Sequence, residues 1–124
     1  MSLLLDTHAL LWWLNGDPLS EAAIGSIAAE DGLVVVSAVS IWEAEIKAAI
    51  GKLSLQVDLV EESAVEGFEP LPVTLEHARD AGRLPPHHRD PFDRMLAAQA
   101  LAENLTLVTR DEVFTRYAVD VLPC

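Results

Sequence analysis

The sequence is short of positive charge, of cysteine and of long apolar runs, and each shortage narrows what the chain can be. Lys and Arg together number 8 against 20 Asp and Glu, a net charge of −12 over 124 residues. A total of that sign argues against a broad polyanion-binding face, which is usually basic. The single cysteine, Cys124, is the last residue, so no intrachain disulfide can form. With no Cys ligands and 4 histidines, a zinc centre is not expected. No apolar run reaches the ~20 residues of a membrane span, and the first five residues lack the basic start of a signal peptide. Reduced thiol and absent leader are together those of a cytoplasmic protein. There is no internal repeat, no low-complexity segment and no evident Ser-His or Cys-His nucleophile set.

What remains is globular: 51% of residues are apolar and 23% charged. The length fits one domain, residues 1–124. Ser2–Leu5, Leu33–Val36 and Leu105–Val108 are short apolar runs suited to buried parallel strands. Phe68–Val73 reads as a strand weakened by prolines and so near an edge, and Val119–Leu122 as a last edge strand. Between them, helices are expected at 8–15, from Asp17 or Ser20 to about Glu30, and from Ser37 or Ser40 to Ile50, where Gly51 gives a left-handed stop. A short helix after Asp58, with Glu61 completing a capping box, one after Thr74 to about Ala81, and one from Asp90-Pro91 through Glu103 follow. Gly82–Arg89 reads as a loop and Asp111–Tyr117 as a short helix. Strands alternating with helices predict a three-layer α/β/α sandwich around a mostly parallel sheet of about five strands.

On that scaffold the acids fall at one edge. Asp6 follows the first strand, Asp111 lies just beyond the strand at 105–108, and Glu43 sits early in the helix after the second strand. Asp93, in the first turn of its own helix, can point the same way. Parallel α/β sheets bind ligands at the carboxyl ends of their strands. Each acid also has a purely structural reading: Asp6 and Asp111 as helix caps, Glu43 in a capping box with Ser40, Asp93 complementing a helix dipole. Singly, those readings suffice for all but Asp6, which ends an apolar strand where burial is costly. Four of them coinciding on one edge favour a divalent-metal site, because crowded carboxylates repel unless a cation joins them. Mg²⁺ or Mn²⁺ would suit such hard oxygen ligands. A phosphatase of the haloacid dehalogenase kind also begins with a strand ending in Asp, but it requires a second Asp where His8 stands, and no fitting downstream lysine is present.

Four segments resemble the motif blocks of PIN-domain toxins of the VapC type. They are Leu3-Leu4-Leu5-Asp6-Thr7-His8-Ala9-Leu10-Leu11-Trp12, Ser37-Ala38-Val39-Ser40-Ile41-Trp42-Glu43, His88-Arg89-Asp90-Pro91-Phe92-Asp93-Arg94-Met95-Leu96-Ala97-Ala98-Gln99-Ala100 and Leu107-Val108-Thr109-Arg110-Asp111. The resemblance spans essentially the whole chain and is most specific in the 88–100 block. It implies a Mg²⁺- or Mn²⁺-dependent endoribonuclease, the toxin of a toxin–antitoxin pair, held by a cognate antitoxin and assembled as a homodimer. It places metal-site acids at Asp6, Glu43, Asp93 and Asp111, with Asp90 as a fifth acid read first as a helix cap. Ser40 and Thr109 fall where hydroxyls support the acids, and the role of His8 stays open. A non-catalytic scaffold of the same fold, binding RNA or protein, is the alternative.

The cations that exist are concentrated. All six arginines lie between Arg79 and Arg116, so the region could be locally cationic with metal bound, or simply a solvated face of mixed charge. Arg89 leans towards an RNA phosphate; Arg94 and Arg110 stand between phosphate binding and pairing with neighbouring acids. His87 and His88 read first as polar loop surface. The nearly all-apolar helix Leu10–Leu14 and the amphipathic Val57–Val65 are the candidate surfaces for antitoxin or a second subunit.

Overall fold

Three runs of buried aliphatic side chains set the centre of the sheet, and everything else is placed by them. In the computed structural model, which describes all residues Met1–Cys124, five strands form one sheet: β1 (Ser2–Leu5), β2 (Leu33–Ser37), β3 (Glu69–Leu71), β4 (Thr106–Thr109) and β5 (Val121–Pro123). Their order is β3-β2-β1-β4-β5 and every pairing is parallel. The sheet expected to be mostly parallel is therefore wholly so. The proline-bearing β3 lies at one edge, where a missing N–H costs no ladder bond.

Side chains alternate across the sheet as a strand requires. Leu3, Leu5, Val34, Val36 and Val108 pack on one face with α1 (Thr7–Asn15) and α2 (Glu21–Ile27). Leu4, Val35 and Leu107 pack on the other with α6 (Pro91–Ala102), the start of α3 (Ala38–Ala49) and Phe114 of a 3-10 turn, Glu112–Arg116. α4 (Leu59–Val65) joins α1 and α3 through Leu59, Leu11 and Ala44. α5 (Leu75–Arg83) lies along α6. The expected three-layer α/β/α sandwich is the observed one.

Caps account for most helix boundaries. Asp6, Ser20, Ser37, Asp58, Thr74 and Asp90 each accept a backbone N–H at the start of a helix. α3 starts from Ser37, not Ser40, and the chain leaves it at Gly51 with φ +77°, a conformation only glycine adopts freely. α2 ends at Ile27, short of Glu30, and α5 runs on to Arg83. Asp58 caps α4 without a returning bond from Glu61; the reciprocal capping box belongs instead to Thr74 and His77. His77 is buried and also reaches Glu103, at 2.8 Å. No helix is long and apolar enough to cross a membrane.

The strand order reverses between β1 and β4, both leading away from the centre in opposite directions. Ligands of open parallel sheets bind in the crevice outside the carboxyl ends at such a reversal. That crevice lies beyond Leu5 and Thr109. Leu4, on the central strand, is paired with Val35 on one side and Leu107 on the other and has no exposed surface. Leu4→Ala is expected to lower the unfolding free energy by about 2–5 kcal/mol, the cost of lost burial and a residual cavity. Denaturant titration checks this; a loss below about 1 kcal/mol would mean that the core repacks freely around β1.

Candidate metal centre

Each site acid is delivered by the end of an element. Asp6 is the residue after β1: its N–H donates to the Val108 carbonyl at 3.1 Å and its Oδ1 caps α1 through the Ala9 N–H at 2.7 Å. Asp111 follows β4 and caps the 3-10 turn through the Val113 N–H at 2.9 Å. Asp90 caps α6, its Oδ1 accepting from the N–H groups of Phe92 and Asp93. The structural and the functional readings of these three acids are thus compatible, since a cap engages one carboxylate oxygen and leaves the other. Asp90 Oδ2 and Asp93 Oδ1 have no donor at all.

Glu43 is reached one turn into α3 and is 2% exposed; Asp6 is 5% exposed. A buried carboxylate must be met by donors. Glu43 Oε1 accepts from the Thr7 hydroxyl at 2.5 Å and Oε2 from the Lys47 ammonium at 2.6 Å. Neither partner was among the residues expected from sequence. Lys47 stands four residues after Glu43, a spacing that pairs side chains on any helix, and is therefore no marker of a site. The ammonium faces Asp90 and Asp93 as well, and these acids with Glu43 raise its pKa above the ordinary lysine value.

The charges sense one another. Burial, then the carboxylates of Asp90, Glu43 and Asp6, push the Asp93 carboxyl up to about 7, partly offset by His88. Burial likewise raises Asp6, with the Thr109 hydroxyl, the Ala9 N–H and His8 pulling the other way and Glu43 adding to the rise. Asp6, Glu43, Asp90 and Asp93 therefore form one electrostatic group. Asp111 is attached to it through His88, whose Nε2 lies 2.8 Å from Asp111 Oδ2 and 3.1 Å from Asp93 Oδ2. Burial pushes Asp111 up, but the Val113 N–H and His88 outweigh it and hold this carboxyl below its usual range. His88 is the residue that sequence reasoning placed on the loop surface; nothing in a loop histidine pair signals an inward ring.

The supporting residues need correction. Ser40 is fully buried, but its hydroxyl has no hydrogen-bond partner and touches no acid in that way; Thr7 takes the role expected of it. Thr109 accepts from the Asp111 N–H at 3.0 Å and bears on Asp6. The Arg94 guanidinium donates to loop carbonyls, those of Ala81 at 2.9 Å and Leu84 at 3.0 Å, with Pro85 and His88 slightly farther. A planar five-donor group is well suited to gather the carbonyls of a loop that has no ladder of its own. Arg110 donates to the Pro18 carbonyl at 2.6 Å and lies 3.8 Å over the Trp12 ring. His8 is exposed and stacks against Trp12. Arg89 alone of the three is exposed with no ion pair or hydrogen bond.

The donor set fits a hard divalent cation. Its free atoms are carboxylate oxygens, Mg²⁺ requires only one or two carboxylates among waters, and Lys47 and His88 already bring positive or donor groups to within 2.6–3.1 Å of the acids. Because Asp93 binds its proton more tightly folded than unfolded, its contribution to stability is full at low pH and is lost as pH rises through about 7. In chelator, Asp93→Asn should therefore melt above the wild type at pH 8, with the gap closing towards pH 5. Thermal melts across that range check this; a gap independent of pH would contradict the crowding.

Residues 3–120 of the chain match the PIN domain. No curated protein matches it significantly in sequence. Among solved structures, VapBC2 from Rickettsia felis bound to a fragment of promoter DNA superposes with a TM-score of 0.73 at 18% identity, covering 100% of this chain and 99% of that one. VapBC-1 from nontypeable Haemophilus influenzae gives 0.70 at 21%, covering 99% and 98%. A toxin-antitoxin complex from Klebsiella pneumoniae gives 0.68 at 17%, covering 97% and 95%. At such identities the likeness establishes a shared fold, complete over both chains. With the family match spanning nearly the whole sequence, the chain belongs to the PIN domain family.

Proposed function

We propose that this PIN domain is a Mg²⁺- or Mn²⁺-dependent endoribonuclease acting as the toxin of a toxin–antitoxin pair. The observation that carries the reading is the approach of Asp93 and Asp111 to within 4.8 Å of each other where the strand order reverses, with Asp6, Glu43 and Asp90 near enough to act on Asp93 and carboxylate oxygens left free of donors. Asp6, Asp93 and Asp111 would hold the cation with Glu43, and Asp90 would add its Oδ2. A bound divalent ion supplies Lewis acidity towards a phosphodiester oxygen and acidifies a coordinated water. The chain's own part is to fix the acids: caps orient Asp6, Asp90 and Asp111, and Thr7 and Lys47 orient Glu43. Arg89, exposed beside Asp90, is free to take a phosphate through paired N–H donors.

The antitoxin reading is supported by the complexes in which the fold has been solved and by an apolar groove between α3, α4 and β3. The groove has a volume of about 700 Å³ and is lined by Ile41, Trp42, Val60, Phe68 and Leu71 among others. Trp42 and Val60 are 62% and 61% exposed on its rim, which suits a helix-in-groove partner. Trp12 and Trp13 are half-buried, so α1 offers less free surface than α4. A homodimer is part of the same reading; light scattering at micromolar concentration without antitoxin should give twice the chain mass, and a monomer would remove it.

The central test is cleavage of RNA by the purified chain. Mn²⁺ or Mg²⁺ should support it, chelator should abolish it, and Asp6→Asn should reduce it by at least about 100-fold, the scale of losing a group that stabilises transition-state charge. Asp6→Asn keeps the cap on α1 and should leave the melting temperature no lower. Metal-independent binding of RNA without cleavage would favour the non-catalytic scaffold instead.

A further inference from the structure

We propose that His88 is a positioning residue of this centre: it hydrogen-bonds the Asp111 carboxylate and holds it beside that of Asp93 while staying outside the cation's coordination shell. The inference rests on the metal-site reading above and assigns a role to a residue that reading does not use.

By distance alone His88 could be a ligand. Its Nε2 and one oxygen each of Asp93 and Asp111 all lie within 4.8 Å of one another, as donors around one ion would. The other ring nitrogen decides against it. His88 Nδ1 accepts the Asp90 N–H at 3.2 Å, so it carries a lone pair and not a proton. A ring in that state has its proton on Nε2. Nε2–H then donates to Asp111 Oδ2, 2.8 Å away, with Asp93 Oδ2 beside it at 3.1 Å but not hydrogen-bonded, and has no lone pair to offer a cation. Ligation through Nε2 would require the proton to move to Nδ1, setting it against the Asp90 N–H. Asp93 accepts no hydrogen bond on either oxygen, so it stays available to metal while Asp111 Oδ2 is held.

The residue is restrained at its backbone as well as at its ring. The His88 N–H donates to the Tyr117 hydroxyl at 2.9 Å, and that hydroxyl donates to the Pro85 carbonyl at 3.0 Å. The His88 carbonyl accepts from Arg94 at 3.3 Å, and the ring lies 5.6 Å from that of Phe114, centroid to centroid. Its side chain is 15% exposed. A surface histidine needs none of these contacts. Together they make His88 the link between the acid carried by α6 and the acid that follows β4. Hydrogen bonds to ligating carboxylates from outside the shell are a common means of orienting them.

The test is Mn²⁺ binding to the full chain by calorimetry, with pulsed electron paramagnetic resonance on the bound ion. Wild type, His88→Ala, His88→Gln and Asp6→Asn are compared. His88→Ala should weaken binding by about 10–100-fold. His88→Gln, whose amide N–H₂ reaches close to the Nε2 position, should recover most of that loss, and no histidine nitrogen coupling should appear on the ion. In the metal-free protein, ¹⁵N spectra of the ring should show the proton on Nε2. A nitrogen coupling that disappears in His88→Ala would make His88 a ligand and overturn the clamp. Equal or tighter binding by His88→Ala, or a proton on Nδ1, would also overturn it. If instead the wild type binds no Mn²⁺, or Asp6→Asn binds it as well, the metal-site reading itself fails and the clamp falls with it. The ring tautomer needs no metal, and His88→Gln covers the case in which His88→Ala does not fold.

Discussion

Carboxylate charge buried at the meeting of β1 and β4 is the constraint to which the rest of this structure answers. Asp6 and Glu43 are 5% and 2% exposed, and burial, with the carboxylates of Asp90, Glu43 and Asp6, raises the pKa of Asp93 to about 7. An unpaired buried carboxylate costs far more than a hydrogen bond returns. The fold therefore brings donors of every kind to one place: backbone N–H groups at three helix starts, the hydroxyls of Thr7 and Thr109, the ammonium of Lys47 and the imidazole of His88. The satisfaction is incomplete. Oxygens on Asp90 and Asp93 are left over, and this remainder is what a divalent ion would bind under the proposed function.

Capping and ligation do not compete here, because a carboxylate has two oxygens. Asp6, Asp90 and Asp111 each start a helical segment with Oδ1, and Asp111 Oδ2 is met by His88. The helices thus hold the site acids by their own first turns, and the sheet sets the spacing between those turns. Removing a site acid in favour of its amide keeps the cap acceptor while discharging the group, so the fold and the chemistry can be separated by one atom. The loop from Leu84 to Asp90 has no ladder to hold it, and Arg94 with Tyr117 supplies the equivalent from side chains.

The sheet was legible in the sequence because its three inner strands are apolar runs with no competing interpretation, and the edge position of β3 because Pro70 and Pro72 forbid a central one. The edge on which Asp6 and Asp111 lie was legible because each follows a strand and starts a helical segment. The donors that answer those acids were not. Thr7 and Lys47 are ordinary helix residues at ordinary spacing, and their meaning depends on what side chain faces them across the crevice. Arg94 was legible as a cation but not as a loop staple, since nothing in its neighbours announces that four carbonyls converge there. Ser40 shows the same limit from the other side: a hydroxyl in a motif block ended up buried with no partner. Ring orientation at His88 depends on the Asp90 N–H, and the place of its backbone on Tyr117, 29 residues away along the chain.

The distribution of the arginines bears on how an RNA could approach a chain of net charge −12. Of the six, Arg94 is committed to loop carbonyls, Arg110 to Pro18 and Trp12, and Arg79 to Asp80. Arg83, Arg89 and Arg116 are exposed and carry no ion pair, and only Arg89 belongs to the motif block that holds Asp90 and Asp93. Counterion release scales with the number of phosphates neutralised by cations, so a surface with so few free guanidinium groups gains little affinity from general electrostatics. Under the proposed function, recognition of RNA would draw on contacts that do not depend on a basic field: unstacked bases against side chains and a phosphate held at the proposed metal site. An acidic surface disfavours indiscriminate binding to polyanions, and on that reading it would leave the crevice as the place for a phosphodiester. The net charge would then not exclude a nucleic-acid substrate but restrict where on the molecule one could sit.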